Sequence, residues 1–108
     1  KNKKQEKVYK PLTIKYGDIN IYVGQNNLQN EYLTFKIADK THMFFHVQQG
    51  PGAHVVVASN KIDDKLKLFA ANIAAYYSSY KYSSTVPVNY TLIKNIKKLI
   101  LKWELHLL

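Results

Sequence analysis

Two alternating apolar runs, Leu12–Tyr16 and Ile19–Val23, are separated only by Gly17 and Asp18. No other feature of the chain limits its fold as tightly. A two-residue connection joins strands as antiparallel neighbours, and glycine at its first position supplies the positive φ of a type II′ turn. Gly24 closes the second strand and a polar stretch follows, Gln25 to Asn30. Asn30 is placed to cap a short helix running through Glu31, Tyr32 and Leu33 to Ala38. His42–Gln48 and Ala53–Ala58 read as two more strands joined around Gly50-Pro51-Gly52, and their unbroken apolar stretches predict strands covered on both faces.

Asn60 is the expected cap of a longer helix over about Lys61 to Tyr80, with Asp63 and Asp64 in its first turn. Ile62, Leu66, Phe69, Ile73, Tyr76 and Tyr80 recur at helical spacing and define its core face. Ser83, Ser84 and Thr85 are expected to end it. Val86, Pro87 and Val88 then open a last strand with Val88, Tyr90 and Leu92 on one side. The order is ββαββαβ. It predicts an α+β domain, a small mixed β-sheet with hairpins packed against one long and one short helix.

The 108 residues suffice for one domain with a modest core. No apolar run approaches the roughly 20 residues that cross a bilayer as a helix, so no membrane partner is expected. The lysine-rich start leads into no apolar segment, which gives the expectation of a cytoplasmic chain. Cysteine is absent, which excludes disulfides and thiolate metal sites.

Sixteen basic residues, all of them lysine, stand against seven acids for a net charge of +9. That balance favours phosphate backbones or an anionic surface as partner. Lysine lacks the bidentate fork that reads guanine edges, so recognition should follow shape and backbone more than sequence.

Catalytic chemistry finds no support. The loop GQNNLQN has one glycine and no following Lys-Ser or Lys-Thr, so it is not a phosphate loop. His42, His46 and His54 could fall close together, but no carboxylate or thiolate is arranged to complete a zinc shell. Ser83 and Ser84 near Lys81 are ordinary turn residues. The chain reads as a non-enzyme without metal or cofactor. Two features remain for binding. Lys94, Lys97 and Lys98, with Lys102 beyond, form a basic cluster after the last strand that serves either as an RNA rim or as a solvated edge opposing aggregation. In YYSSYKY, Tyr76 and Tyr80 fall on the expected core face, leaving Tyr77 and Tyr82 as candidates for base stacking.

The blocks DINIYVGQNN, NNLQNEYLTFK, FFHVQQGPGAHVVV, AANIAAYYS and SSTVPVNYTLIKNIKK, taken in order, resemble the NFACT-R domain. This is the C-terminal RNA-binding module of RqcH-type proteins, many of them labelled fibronectin-binding proteins. The resemblance runs from about Thr13 to Lys98. It implies that residues 1–10 end a preceding coiled coil or are disordered, that 11–98 form the RNA-binding domain, and that the parent protein binds the large ribosomal subunit and tRNA. There it would support tailing of stalled nascent chains. The polar residues that match family blocks, and so become candidate RNA contacts, are Asn26, Asn27, Gln29, Asn30, Lys36, His46, His54, Lys94, Lys97 and Lys98, with Tyr90 and Thr91 beside them.

Two departures from the family pattern stand out. Gln48 and Gln49 replace a usual lysine and acid. The tail LILKWELHLL (residues 99–108) replaces a Pro-Gly turn and a final strand pair. Back-translated with a suitable choice of AT-rich codons and read two nucleotides later, that tail can give NFKMGITFT, in which only the glycine is forced by Trp103 and Glu104, a string close to the family's continuation and compatible with an altered frame.

Three functions follow as alternatives. The first is RNA binding, to tRNA and large-subunit rRNA, in ribosome-associated quality control. The second is a surface-displayed adhesion fragment that binds fibronectin. The third is an interaction module contacting other domains of its own parent.

Overall fold

The computed structural model describes residues 10–96. The expected ends, residues 1–9 and the tail 99–108 with Lys97 and Lys98 before it, lie outside them. Strands β1 (Leu12–Tyr16) and β2 (Ile19–Gly24) form the hairpin, with Leu12 opposite Val23 and Tyr16 opposite Ile19. Gly17 takes φ of +60° and no other residue of the turn has positive φ, the signature of type II′. Strands β3 (Met43–Val47), β4 (His54–Val57) and β5 (Val88–Leu92) complete a five-stranded antiparallel sheet in the order β1-β2-β4-β3-β5. The α+β class and the ββαββαβ order are those read from the sequence.

Val55, Val56 and Val57 show why β3 and β4 lack polar alternation: both faces of the sheet are covered. Helix α2 (Asp64–Tyr76) packs on one face, where Leu66, Ala70, Ile73 and Ala74 meet Ile21, Val23, Phe45, Val55 and Val57. Helix α1 (Asn27–Tyr32) and the π-helical turn Leu33–Ile37 that extends it cover the other face. There Leu33, Ala38, Phe44, Val56 and Ile93 form a second, smaller cluster. Residues 93–96 are helical after β5. Among the described residues, no helix is long and apolar enough to cross a membrane.

The long helix differs from its sequence reading in three ways. Asn60 does not cap it. Ser59 Oγ accepts from Lys61 N–H at 3.0 Å in a turn of its own, and Asp63 is the cap, its carboxylate accepting from Leu66 N–H at 2.8 Å. The helix also stops at Tyr76, before Ser83. Ser78 Oγ donates back to Ala75 C=O at 2.6 Å, and the Ser78 backbone bridges to Gly52.

The third difference is its core face. Leu66 and Ile73 are buried as expected, but Phe69, Tyr76 and Tyr80 are exposed, and Ala70 and Ala74 take the sheet-facing positions. Alanine at those positions leaves the helix close to the sheet, with no room for aromatic rings between them. Phe69 instead lies on the flank against Tyr16, with ring centroids 5.1 Å apart. Of the tyrosines, Tyr82 is exposed as expected, but Tyr76 and Tyr80 are exposed as well and do not lie on the core face. Tyr77 is half-buried against the core, whereas Tyr76 and Tyr82 stand in solvent on either side of Lys81, whose Nζ lies 5.7 and 5.2 Å from their rings.

Candidate nucleic-acid interface

The polar loop after β2 is built around a close approach. Gly24 ends the strand directly beneath Asn30, and a Cβ there would fall on Asn30 Oδ1 and within 3.0 Å of its backbone N and Cα. Asn26, not Asn30, caps the short helix. Asn26 is extended, and its Oδ1 accepts from Gln29 N–H at 2.8 Å. Gln29 turns inward, buried, and its Oε1 accepts from Gln25 N–H at 2.9 Å. Asn30 is thereby free to reach the sheet, where its Oδ1 accepts from His54 N–H at 3.1 Å.

His54 continues the polar connection. Its Nδ1 shares a 2.8 Å hydrogen bond with Oγ1 of Thr34, a fully buried residue of the π-helical turn. His46 projects from β3 on the same face and meets His54 edge-on at 5.6 Å between centroids. His46 Nδ1 lies 2.6 Å from Val47 C=O, and since a carbonyl only accepts, that nitrogen carries the proton. His42 does not join them: its Nδ1 accepts from Asp39 N–H at 3.1 Å. Among the described residues, no three side chains of His, Cys, Asp or Glu converge as a metal set would.

Asn26, Asn27 and Asn30 line one side of an open cleft of about 390 Å³, and Pro51, Gly52, Ala53, Tyr77 and Ser79 line the other, with Gln25 at the rim. Of the sequence candidates, the structure therefore unites the three asparagines in one cleft and His46 with His54 beneath the same layer. It separates Tyr90 from Thr91, because neighbouring strand residues point to opposite faces. Tyr90 stacks on Phe45 at 5.6 Å on the α2 side, with Lys67 Nζ 5.3 Å from its ring. Lys36 is exposed in the π-helical turn and Lys94 just after β5. Lys94 N–H donates to Lys40 C=O at 3.2 Å, which brings exposed Lys40 beside Lys94. Lys40, Gly52 and Ser79 were not among the sequence candidates. Only the tertiary fold brings them in.

Burial, with His46 adding to it, pushes the His54 imidazole down from 6.5 to about 4. The folded domain holds this ring neutral, while the unfolded chain takes up a proton near pH 6.5. Between those values the unfolded state binds more protons, so stability falls as pH drops from about 6.5 to about 4. Denaturant unfolding at pH 7 and pH 4.5 should show His54→Gln losing about 2 kcal/mol less than wild type over that interval. Parallel losses in the two proteins would mean that His54 does not titrate this way.

Comparison with known proteins accords with this architecture. Residues 8–102 match the model of the NFACT protein RNA-binding domain. The chain is 43% identical over 101 residues to the Rqc2 homolog RqcH of Bacillus subtilis, an alignment covering 91% of this chain and 18% of that protein. It is 46% identical over 83 residues to the Rqc2 homolog RqcH of Streptococcus pneumoniae, covering 76% of this chain and 15% of the relative. A solved structure of the C-terminal part of the fibronectin/fibrinogen-binding protein from Streptococcus suis superimposes with a TM-score of 0.76 at 41% identity, covering 79% of this chain and 36% of that one. The chain belongs to the NFACT RNA-binding domain family. It spans less than a fifth of the length of these two RqcH relatives.

Proposed function

We propose that this chain is the RNA-binding module of a ribosome-associated quality-control protein, contacting tRNA or large-subunit rRNA while stalled nascent chains are tailed. The observation that carries the reading is the match of residues 8–102 to an RNA-binding domain within relatives named Rqc2 homologs. The charge of +9, supplied wholly by lysine, supports a partner with a phosphate backbone. The role is binding without catalysis, metal or cofactor, at the ribosome in the cytoplasm. Asn26, Asn27, Asn30 and Lys36 would meet the RNA on the α1 side, with Lys94, Lys97 and Lys98 as the phosphate contacts and Gln29, His46 and His54 holding the loop beneath.

The salt dependence of RNA binding tests this reading. Replacing Lys94, Lys97 and Lys98 together by alanine should weaken binding to every RNA by a similar factor. It should also flatten the plot of log K against log salt by about 2 to 3 in all, since each phosphate contact contributes about 0.7 to 0.9. Wild-type affinity and slope in the triple variant would assign these lysines to a solvated edge. A second reading rests on the Streptococcus suis structure, whose protein is named for binding fibronectin and fibrinogen. Immobilised fibronectin that retains this chain while tRNA and rRNA fragments do not would favour adhesion. A third reading, contact with other domains of a longer parent, is supported by the small share of its relatives that the chain spans.

A further inference from the structure

The cleft between the asparagine loop and the β3–β4 connection is lined by Gln25, Asn26, Asn27, Asn30, Pro51, Gly52, Ala53, Tyr77 and Ser79, with no charged side chain among them. In a chain with sixteen lysines this neutrality is informative. A phosphate-binding recess would draw in cations, and this one has none. What it offers is amide and hydroxyl hydrogen bonding beside an aromatic ring. Asn26 Oδ1 is engaged by Gln29 N–H and Asn30 Oδ1 by His54 N–H, which leaves both NH₂ groups as donors. Among the described residues, the Asn27 amide makes no hydrogen bond within the chain.

The walls are fixed by the fold. Gly52 bridges to Ser78, and a Cβ on it would lie 3.1 Å from Val47 Cγ2. Ala53 N–H donates to Tyr77 C=O at 3.2 Å, and the Tyr77 ring is held edge-on to Tyr76 at 5.0 Å. The volume, about 390 Å³, falls within the range of small-molecule sites. A nucleotide presents two chemistries, a charged backbone and a flat neutral base with donor and acceptor edges. Unpaired RNA bases are typically read by aromatic contact together with hydrogen bonds to their edges, and asparagine amides match such edges.

We infer that this cleft receives one unpaired nucleobase, so that the module reads a base here while its lysines hold the backbone elsewhere. The inference rests on the RNA-binding reading and adds base discrimination to it. The test uses the 108-residue chain and an abasic ribose-phosphate dodecamer carrying A, C, G, U or no base at one central position, followed by fluorescence anisotropy at fixed salt. At least one base should bind about tenfold more tightly than the abasic strand. Asn27→Ala and Asn27→Ala/Ser79→Ala should bring that strand down to the abasic level. Binding of all five strands within twofold by wild type overturns the base site while leaving RNA binding intact. Discrimination that persists in both variants overturns it equally. Failure to bind any strand, or a tRNA, removes the RNA-binding reading itself.

Discussion

Replacing Leu66 by alanine is expected to destabilise the domain by roughly 2 to 5 kcal/mol, whereas Phe69→Ala should cost only about 1 kcal/mol. Leu66 is 2% exposed and lies in the core cluster that joins α2 to the sheet, so its loss leaves a cavity that the strands cannot close. Phe69, at 36% exposure, makes a flanking ring contact with Tyr16, and water can replace much of what it covers. A domain of this size has about 5 to 15 kcal/mol in total, so Leu66→Ala should be detectably unfolded at moderate temperature. Urea denaturation of both variants decides the matter. Equal losses, or a larger loss for Phe69→Ala, would place the opposite face of α2 on the sheet.

Gly24→Ala should be comparably harmful, at about 3 kcal/mol, although the residue lies at a strand end. The added methyl must displace the Asn30 side chain, and doing so strips the acceptor from His54 N–H. Overpacking contributes about 1 to 3 kcal/mol and the orphaned donor about 1 to 3. The two substitutions should therefore be strongly coupled. In an Asn30→Ala background the closest collision, with Oδ1, is gone and only the 3.0 Å approaches to the backbone N and Cα of residue 30 remain, so Gly24→Ala should cost only about 1 kcal/mol more. A double-mutant cycle that comes out additive would show that the Asn30 side chain is not what requires glycine at position 24.

The contrast between these two sites explains which parts of the molecule could be read from the chain alone. The β1–β2 hairpin is local: alternation and the Gly17-Asp18 turn suffice to specify it. The burial of both sheet faces was legible in Val55-Val56-Val57, because only a strand covered on two sides tolerates such a run. The helix face misled because a search for large apolar residues gives no weight to alanine. Phe69, Tyr76 and Tyr80 supplied a false stripe, and Ala70 and Ala74 joined Leu66 and Ile73 against the sheet in their place.

Caps failed for a related reason. Asn26, Asn30, Asn60 and Asp63 all have suitable side chains, and Asn26 and Asp63 are the ones that cap. Asn30 is drawn away by His54, which comes from a distant strand. For the candidate surface, the family resemblance pointed to the asparagine loop, but Gly52 and Ser79 on the facing wall and Lys40 beside Lys94 depend on contacts between segments far apart in sequence.

The sheet divides the interior unequally, and this asymmetry has a consequence for motion. Among the described residues, a continuous cluster on the α2 side runs from Ile21 through Phe45 and Val57 to Ile73, while the α1 side holds the smaller set Leu33, Ala38, Phe44, Val56 and Ile93, with Tyr22 and Ile96 packed against it and the Thr34–His54 hydrogen bond beside it. Sub-global opening follows the weaker seam. With fewer apolar side chains between it and the sheet, the α1 layer is where local opening is expected to begin. The asparagine cleft spans this seam, its asparagines on the α1 layer and Ala53 and Tyr77 on the side of the larger cluster. Any partner that seats in the cleft and touches both the loop and Tyr77 would act as a clasp across that seam, and its binding would be felt as added cohesion.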